Sequence, residues 1–175
     1  MKKVKGFLYG CLLAVSALSF TAEPREQINW LSMEEMQLAY KKEPRPLLVD
    51  LYTNWCGWCK EMDRTTYKNA KVAAYINQHY YAVKFDAESK KEVLFNNKLY
   101  TYSKEMKANE LAMHLSFGQM EYPTTVFLTS PGARPAPLPG YLKPKEMEAP
   151  LKYFAEANMD KESFVEFNQK FKNEW

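Results

Sequence analysis

Leu47-Leu48-Val49-Asp50-Leu51-Tyr52-Thr53-Asn54-Trp55-Cys56-Gly57-Trp58-Cys59-Lys60 is the stretch that decides the fold. Leu47 to Tyr52 is an apolar run interrupted only by Asp50, the pattern of a strand buried at the centre of a sheet. The two cysteines follow at once, in a segment from Cys56 to Arg64 that reads as helical. A cysteine at a helix N-terminus faces unsatisfied backbone N–H groups and the positive end of the dipole, so its thiolate is favoured. Cys56 holds that position. Cys59 lies one turn inward on the same face and reaches the Cys56 sulfur, so one cysteine attacks a disulfide and the other resolves the mixed disulfide.

Two other uses of the pair compete. A structural disulfide is the default for a secreted protein. A loop of about four residues, however, gains only about 2 kcal/mol from closure, less than a bridge between distant segments would give. The second alternative is half a zinc site. Zinc takes about four ligands, and beyond the two sulfurs only His79 and His114 remain, at no ligand-like spacing. The redox reading fits the position and spacing best, and no metal is expected. Both histidines are expected on helix surfaces, and neither is given a role.

Working outward, Ile28 to Leu31 reads as a short edge strand. Ser32 with Glu35 three residues later is a capping box that opens a helix running to about Lys42, ended by Pro44 and Pro46. A second helical pattern surrounds Val72, Ala73 and Ile76, and Tyr80 to Phe85 is another strand. Asn96-Asn97 is a hairpin turn, and Asn109 caps a helix containing Leu111, Met113 and Leu115. Tyr122-Pro123 leads into a β-branched and aromatic strand from Thr124 to Thr129. Pro131 to Pro139 reads as a proline-rich turn, followed by a helix from about Pro144 to Ala157. Asp160 is expected to cap a last helix over about 160–175, with Phe164, Phe167, Phe171 and Trp175 as a packing stripe. Strands alternating with helices make this an α/β fold, a sheet covered by helices.

The chain has 175 residues, 46% of them hydrophobic and 15% aromatic, enough for one domain with a real core. Its net charge of +3 and its third cysteine both trace to residues 1–22. Lys2, Lys3 and Lys5 precede an apolar run from Phe7 to Phe20, with Ala17, Ser19 and Ala22 near its end, the layout of a secretory signal peptide. That segment carries three of the 24 basic residues, none of the 21 acidic ones, and Cys11, so the remainder, 23–175, is neutral with two cysteines. A neutral domain without a basic tract excludes nucleic-acid binding as the primary function. The expectation is an exported protein, periplasmic in a Gram-negative bacterium, with no membrane span after cleavage.

The residues also carry a resemblance. Leu47 to Lys60 resembles the active-site strand and turn of thioredoxins, Tyr122-Pro123-Thr124-Thr125 their cis-proline loop, and Gly140-Tyr141-Leu142 their glycine before the last helix. It covers roughly residues 28 to 157. The Trp55-Cys56-Gly57-Trp58-Cys59-Lys60 wording is most similar to exported bacterial thioredoxin-like proteins and to the soluble domains of membrane thiol reductases. The resemblance implies a thioredoxin fold, a central mixed β-sheet flanked by helices. It implies Asp50 as the buried acid that takes a proton from the resolving cysteine, and a desolvated acid on a central strand has the raised pKa this needs. It also implies a cis Pro123 against the cysteine pair, with the Tyr122 backbone free to pair with an extended substrate; a trans proline starting an edge strand is the alternative. Trp55 and Trp58 should border an exposed Cys56 and dock substrate. Ordinary packing is the competing reading, stronger for Trp55 than for Trp58.

Two departures stand beside the matches. Thioredoxins carry a lysine four residues before the acid that ends the third strand; Ala82 occupies that position here, with Lys84 two residues on and on the same face. The segment between Asp86 and Pro123 is longer than in compact thioredoxins, implying an insertion over about 88–108. The expected activity is thiol–disulfide exchange, reducing disulfides of exported proteins, with Cys56 as nucleophile and Cys59 as resolving thiol. Its partners would be protein substrates with disulfides or thiols and a membrane thiol reductase as electron donor; no bound cofactor is implied. The alternatives are a disulfide-forming or isomerising enzyme of the same fold, and a non-catalytic binding or chaperone module.

Overall fold

A computed structural model describes residues 27–156 and 162–175. The expected signal peptide and the Asp160 cap lie outside the described residues. In chain order the elements are β1 (Trp30–Leu31), α1 (Met33–Lys42), β2 (Leu47–Tyr52), α2 (Gly57–Thr65), α3 (Ala70–His79), β3 (Tyr81–Asp86), β4 (Val93–Phe95) and β5 (Lys98–Tyr100). They continue with β6 (Tyr102–Ser103), β7 (Ala108–Asn109), α4 (Glu110–Leu115), β8 (Thr124–Leu128), β9 (Ala136–Pro139), α5 (Pro144–Glu156) and α6 (Phe164–Lys170).

Five strands form a mixed sheet in the order β1-β3-β2-β8-β9, with β1 and β2 parallel to β3, and β8 antiparallel to both β2 and β9. The apolar run Leu47–Tyr52 is the central strand, and its alternation divides the core. Leu47, Val49 and Leu51 face one layer with Met36, Leu111 and Leu115. Leu48 faces the other with Met62, Ile76, Met147 and Leu151. By the two-residue period, Asp50 points with Leu48 toward α2, α3 and α5. Burying Leu47, Leu48, Val49 and Leu51 stabilises the fold by roughly 1.5–3 kcal/mol each, which together outweighs the desolvation of one carboxyl.

Local signals explain the element ends. Ser32 Oγ accepts from Glu35 N at 3.2 Å and Ser32 N donates to Glu35 Oε2 at 2.8 Å, the reciprocal box expected at the start of α1. Asn96 and Asn97 have φ of 47° and 62°, as a two-residue hairpin turn between β4 and β5 requires. Asn109 caps α4 through Leu111 N at 3.0 Å, and its amide donates at 3.0 Å to both Ser89 O and Lys91 O. One buried side chain thus ties together the two ends of the 88–108 segment, which folds as two small hairpins.

Two expectations are corrected. The Pro131–Pro139 stretch is not a turn throughout, because Ala136–Pro139 forms the edge strand β9. Pro137 and Pro139 lie two apart and so face one side of the strand, away from β8, where no N–H is needed. Gly140, in register with 136 and 138, donates to Pro123 O at 2.8 Å. The last helix begins later and is shorter than expected. Ser163 is its cap, in a second capping box with Glu166, and α6 ends at Lys170. Its aromatic stripe packs as expected: Phe164 and Phe167 lie 5.2 and 5.3 Å from Tyr153, and Trp175 meets Tyr75 edge-on at 5.6 Å. The buried Glu148 of α5 accepts from Glu174 N and Trp175 N, which holds the end of the chain against α5.

Candidate active site

β2, the central strand, ends at Tyr52, and Thr53 to Trp55 turn the chain into α2. Cys56 is the N-cap of that helix, and its Sγ accepts from Cys59 N at 3.0 Å. The sulfurs of Cys56 and Cys59 are joined in a disulfide, with the Cα atoms 5.3 Å apart. Neither cysteine is open to solvent in this state: Cys56 is 4% and Cys59 3% exposed. The expectation of an exposed Cys56 is therefore corrected for the oxidised protein. The bond folds the Cys56 side chain back over the first turn of α2 rather than letting it project.

The tryptophans, in contrast, project. Trp55 is 68% and Trp58 63% exposed, so packing explains neither, and the stronger packing reading for Trp55 is overturned. Each ring is held from one side only. The Trp55 indole N–H donates to Glu88 Oε1 at 3.0 Å, and its ring meets Tyr122 edge-on at 6.1 Å. Trp58 stacks on Tyr141 at 5.5 Å, and Tyr141 Oη is 3.0 Å from Thr65 Oγ1. The Tyr122–Pro123 peptide is cis. Pro123 is buried, with its carbonyl bonded to Gly140, while Tyr122 is half-buried.

Asp50 is 1% exposed, and Lys84 stands opposite it in the β2–β3 register. Lys84 Nζ lies 3.7 Å from Asp50 Oδ2 and makes a closer ion pair with Asp63. Asp63 is one turn after Cys59 on the same face of α2, so Asp50 lies beneath the face that carries the second cysteine. Burial pushes the Asp50 carboxyl up to about 7; the Lys84 cation opposes this, the charge of Asp63 adds to it, and the Tyr67 hydroxyl opposes it again. Asp50 Oδ1 has no hydrogen-bond partner among the described residues, which also favours the protonated acid over the carboxylate. An acid poised near 7 can accept and return a proton at neutral pH. Lys84 thus stands where Ala82 left the expected lysine missing, because register brings it directly opposite Asp50.

Several participants escaped the sequence reading. Asp63, four residues after Cys59, had a helical-spacing signal. Glu88, two after Asp86, had only proximity to a marked residue, and Tyr141 was marked only as part of the Gly140-Tyr141-Leu142 match, with no role of its own. Tyr67 had none; its hydroxyl lies 3.2 Å from Thr125 Oγ1, beside the strand position paired with Asp50. The histidines lie on helices as expected, His79 half-buried against Tyr75 and His114 exposed. Among the described residues, no group of three or more His, Cys, Asp or Glu side chains is placed to hold a metal ion.

The sequence profile of thioredoxin-like domains matches residues 33–155. A thiol:disulfide interchange protein, DsbD, from Pectobacterium atrosepticum is 30% identical over 47 residues, which are 27% of this chain and 8% of that protein. The chain therefore spans a small fraction of that relative. Among solved structures, a thioredoxin from Thermus thermophilus superimposes with a TM-score of 0.58 at 15% identity, covering 78% of this chain and 94% of its own. The DsbH oxidoreductase superimposes with a TM-score of 0.53 at 14% identity, covering 88% of this chain and 96% of its own. These likenesses show the fold, and the C-x-x-C pair on that fold is consistent with a protein-disulfide oxidoreductase.

Proposed function

The chain belongs to the thioredoxin-like domain family, and from that premise we propose that it reduces disulfides of exported proteins by dithiol–disulfide exchange. The observation that carries this reading is the Cys56–Cys59 disulfide at the start of α2, set over a buried acid held near 7. In the reduced protein the Cys56 thiolate attacks a substrate disulfide; a mixed disulfide forms, and the first substrate sulfur leaves as a thiolate that takes up a proton. Asp50 then accepts the Cys59 proton, and the Cys59 thiolate attacks the Cys56 sulfur. The second substrate thiolate leaves and is protonated. Two electrons and two protons have passed to the substrate, and the protein is left with the bond seen here.

Trp55 and Trp58 would supply the apolar faces against which an extended substrate lies, with Pro123 and the Tyr122 backbone as its ledge. The 88–108 hairpins would be an insertion relative to compact thioredoxins, and 23–175 the single domain left after signal cleavage in the periplasm. Among the described residues no helix is long and apolar enough to cross a membrane. A membrane thiol reductase would supply the electrons.

Gly57 and Trp58 between the cysteines provide no histidine cation to stabilise the thiolate, the device by which strong oxidants hold their power. Equilibration with glutathione should give a potential nearer about −270 mV than about −120 mV. A value at the oxidising end, with fast oxidation of reduced unfolded protein, would make the enzyme disulfide-forming instead. Cys59→Ala should accumulate mixed disulfides on Cys56, visible on non-reducing gels and identifiable by mass spectrometry. If a variant lacking both cysteines captured the same proteins equally well, the chain would be a binding module and not an exchange enzyme.

A further inference from the structure

We propose that a cavity of about 490 Å³, at the opposite end of the sheet from the disulfide, binds a compact organic anion: a carboxylate carried on an aromatic ring. β2 runs from Leu47 toward the cysteines, and antiparallel β8 ends at Leu128 beside Leu47. The Pro131–Pro135 loop that follows β8 is thus roughly 17 Å from the redox end, one strand length away. The cavity lies between this loop, the β4–β5 hairpin and the end of α4. Loop and hairpin meet at Gly132, where a Cβ would stand 3.5 Å from Asn96 Nδ2, so the walls are in place without a ligand.

The lining is apolar below and cationic at the mouth. Phe95 and Tyr100 are buried, at 1% and 4% exposure, and form the floor. Lys98 Nζ is held over the Tyr100 ring at 4.7 Å, and the Arg134 guanidinium over Phe117 at 5.4 Å. The exposed His114 ring lies 5.6 Å from Tyr100. No acidic side chain lines the cavity. Among the described residues, neither Lys98 nor Arg134 enters an ion pair. Two cations at the mouth with no acidic side chain in the lining favour an anionic ligand, Arg134 being suited to a bidentate contact with a carboxylate. The exposed ring of Phe117 offers an aromatic face for the flat body of such a ligand.

Phe117 gives a second indication. It is 52% exposed and has φ of +53°, in the left-handed region where a bulky side chain is an outlier. The φ is that of a helix C-cap, in which Gly118 N donates back to Met113 O at 2.8 Å and closes α4. Glycine would serve the cap equally well, and the exposed Phe117 ring is left to wall the cavity beneath Arg134.

The test is a titration of the full chain with benzoate, followed by amide chemical shifts and calorimetry. Saturable shifts are expected at Gly132 and Phe117, with benzyl alcohol, the uncharged counterpart, binding at least tenfold more weakly. Lys98→Gln with Arg134→Gln should weaken benzoate at least tenfold while leaving disulfide reduction unchanged, since both residues lie outside the redox site. Phe117→Gly should keep or raise the melting temperature, because glycine adopts a positive φ freely, and still weaken benzoate severalfold. Equal binding of benzyl alcohol would show an apolar hollow only, and equal shifts from inorganic phosphate would show attraction of any ion; either result overturns the proposal. So would undiminished binding by the double variant, or the absence of saturation.

Discussion

Cys56→Ala should abolish reduction of insulin disulfides, with a loss of about a thousandfold or more measured as the onset of turbidity. The nucleophile is the one group whose removal no neighbour can replace. Among the described residues Cys59 is the only other cysteine, and it lies one turn inside α2, behind Cys56 at the N-cap, so it is the less well placed of the two to meet a protein substrate. The variant should remain folded. The bond it loses closes a loop of about four residues and contributes only about 2 kcal/mol, while the helix and the strand before it are held by the core. Unchanged activity would remove Cys56 from the mechanism. Unfolding by circular dichroism would instead mark the pair as a structural bridge, so the two readouts separate the alternatives weighed from the sequence.

Asp50→Asn should make the protein more stable and less active at the same time. An exposed Asp releases its proton near 3.8, whereas the buried Asp50 does so at about 7. Between those values the folded state binds a proton that the unfolded state has released, so stability falls as pH rises from about 4 to about 7 and stays at the lower level above that. By pH 8 the penalty amounts to about 4 kcal/mol, which the neutral asparagine does not incur. Chemical denaturation of both proteins from pH 4 to pH 9 should show their stabilities diverging across this window, with the variant the more stable at high pH. The resolution step should slow by about a hundredfold at pH 7, because Cys59 has lost its proton acceptor. A constant difference in stability across the pH range would mean that Asp50 titrates as an ordinary carboxyl.

The two expectations share a cause that is readable in Leu47 to Lys60. Four apolar side chains around Asp50 announce a strand buried on both faces, and a strand of that kind carries its acid into the interior with it. The C-x-x-C pair then falls at a helix N-terminus by adjacency alone. Ser32 with Glu35, Asn96-Asn97 and Asn109 were legible for a similar reason: each signal involves residues within a few positions of one another, and the physical effect is complete at that range.

What escaped the sequence depended on residues far apart in the chain. Lys84 faces Asp50 because β3 pairs with β2 in one register out of several; a shift by one residue would have placed Val83 or Phe85 there. For Trp55 packing competed with substrate docking because its apolar ring has no local signal for exposure, and only the fold shows it standing 68% exposed. Cys56 was expected to be exposed because local geometry places it at a helix tip, whereas the disulfide turns its side chain inward. The edge strand β9 was missed because two prolines mark a turn locally, and only its place beside β8, with both prolines facing away, makes them tolerable in a strand.

The sequence by itself determined the class of fold, the order of its main elements and the pair of sulfurs on which the chemistry rests, because buried runs, caps and a C-x-x-C motif act over one or two turns of chain. The tertiary structure alone decided which charge stands against Asp50, which rings flank the disulfide, how far the cysteines are covered, and where a cationic cavity forms away from them. Those properties are set by strand register and by the packing of segments many residues apart, and no local pattern encodes the distance between them.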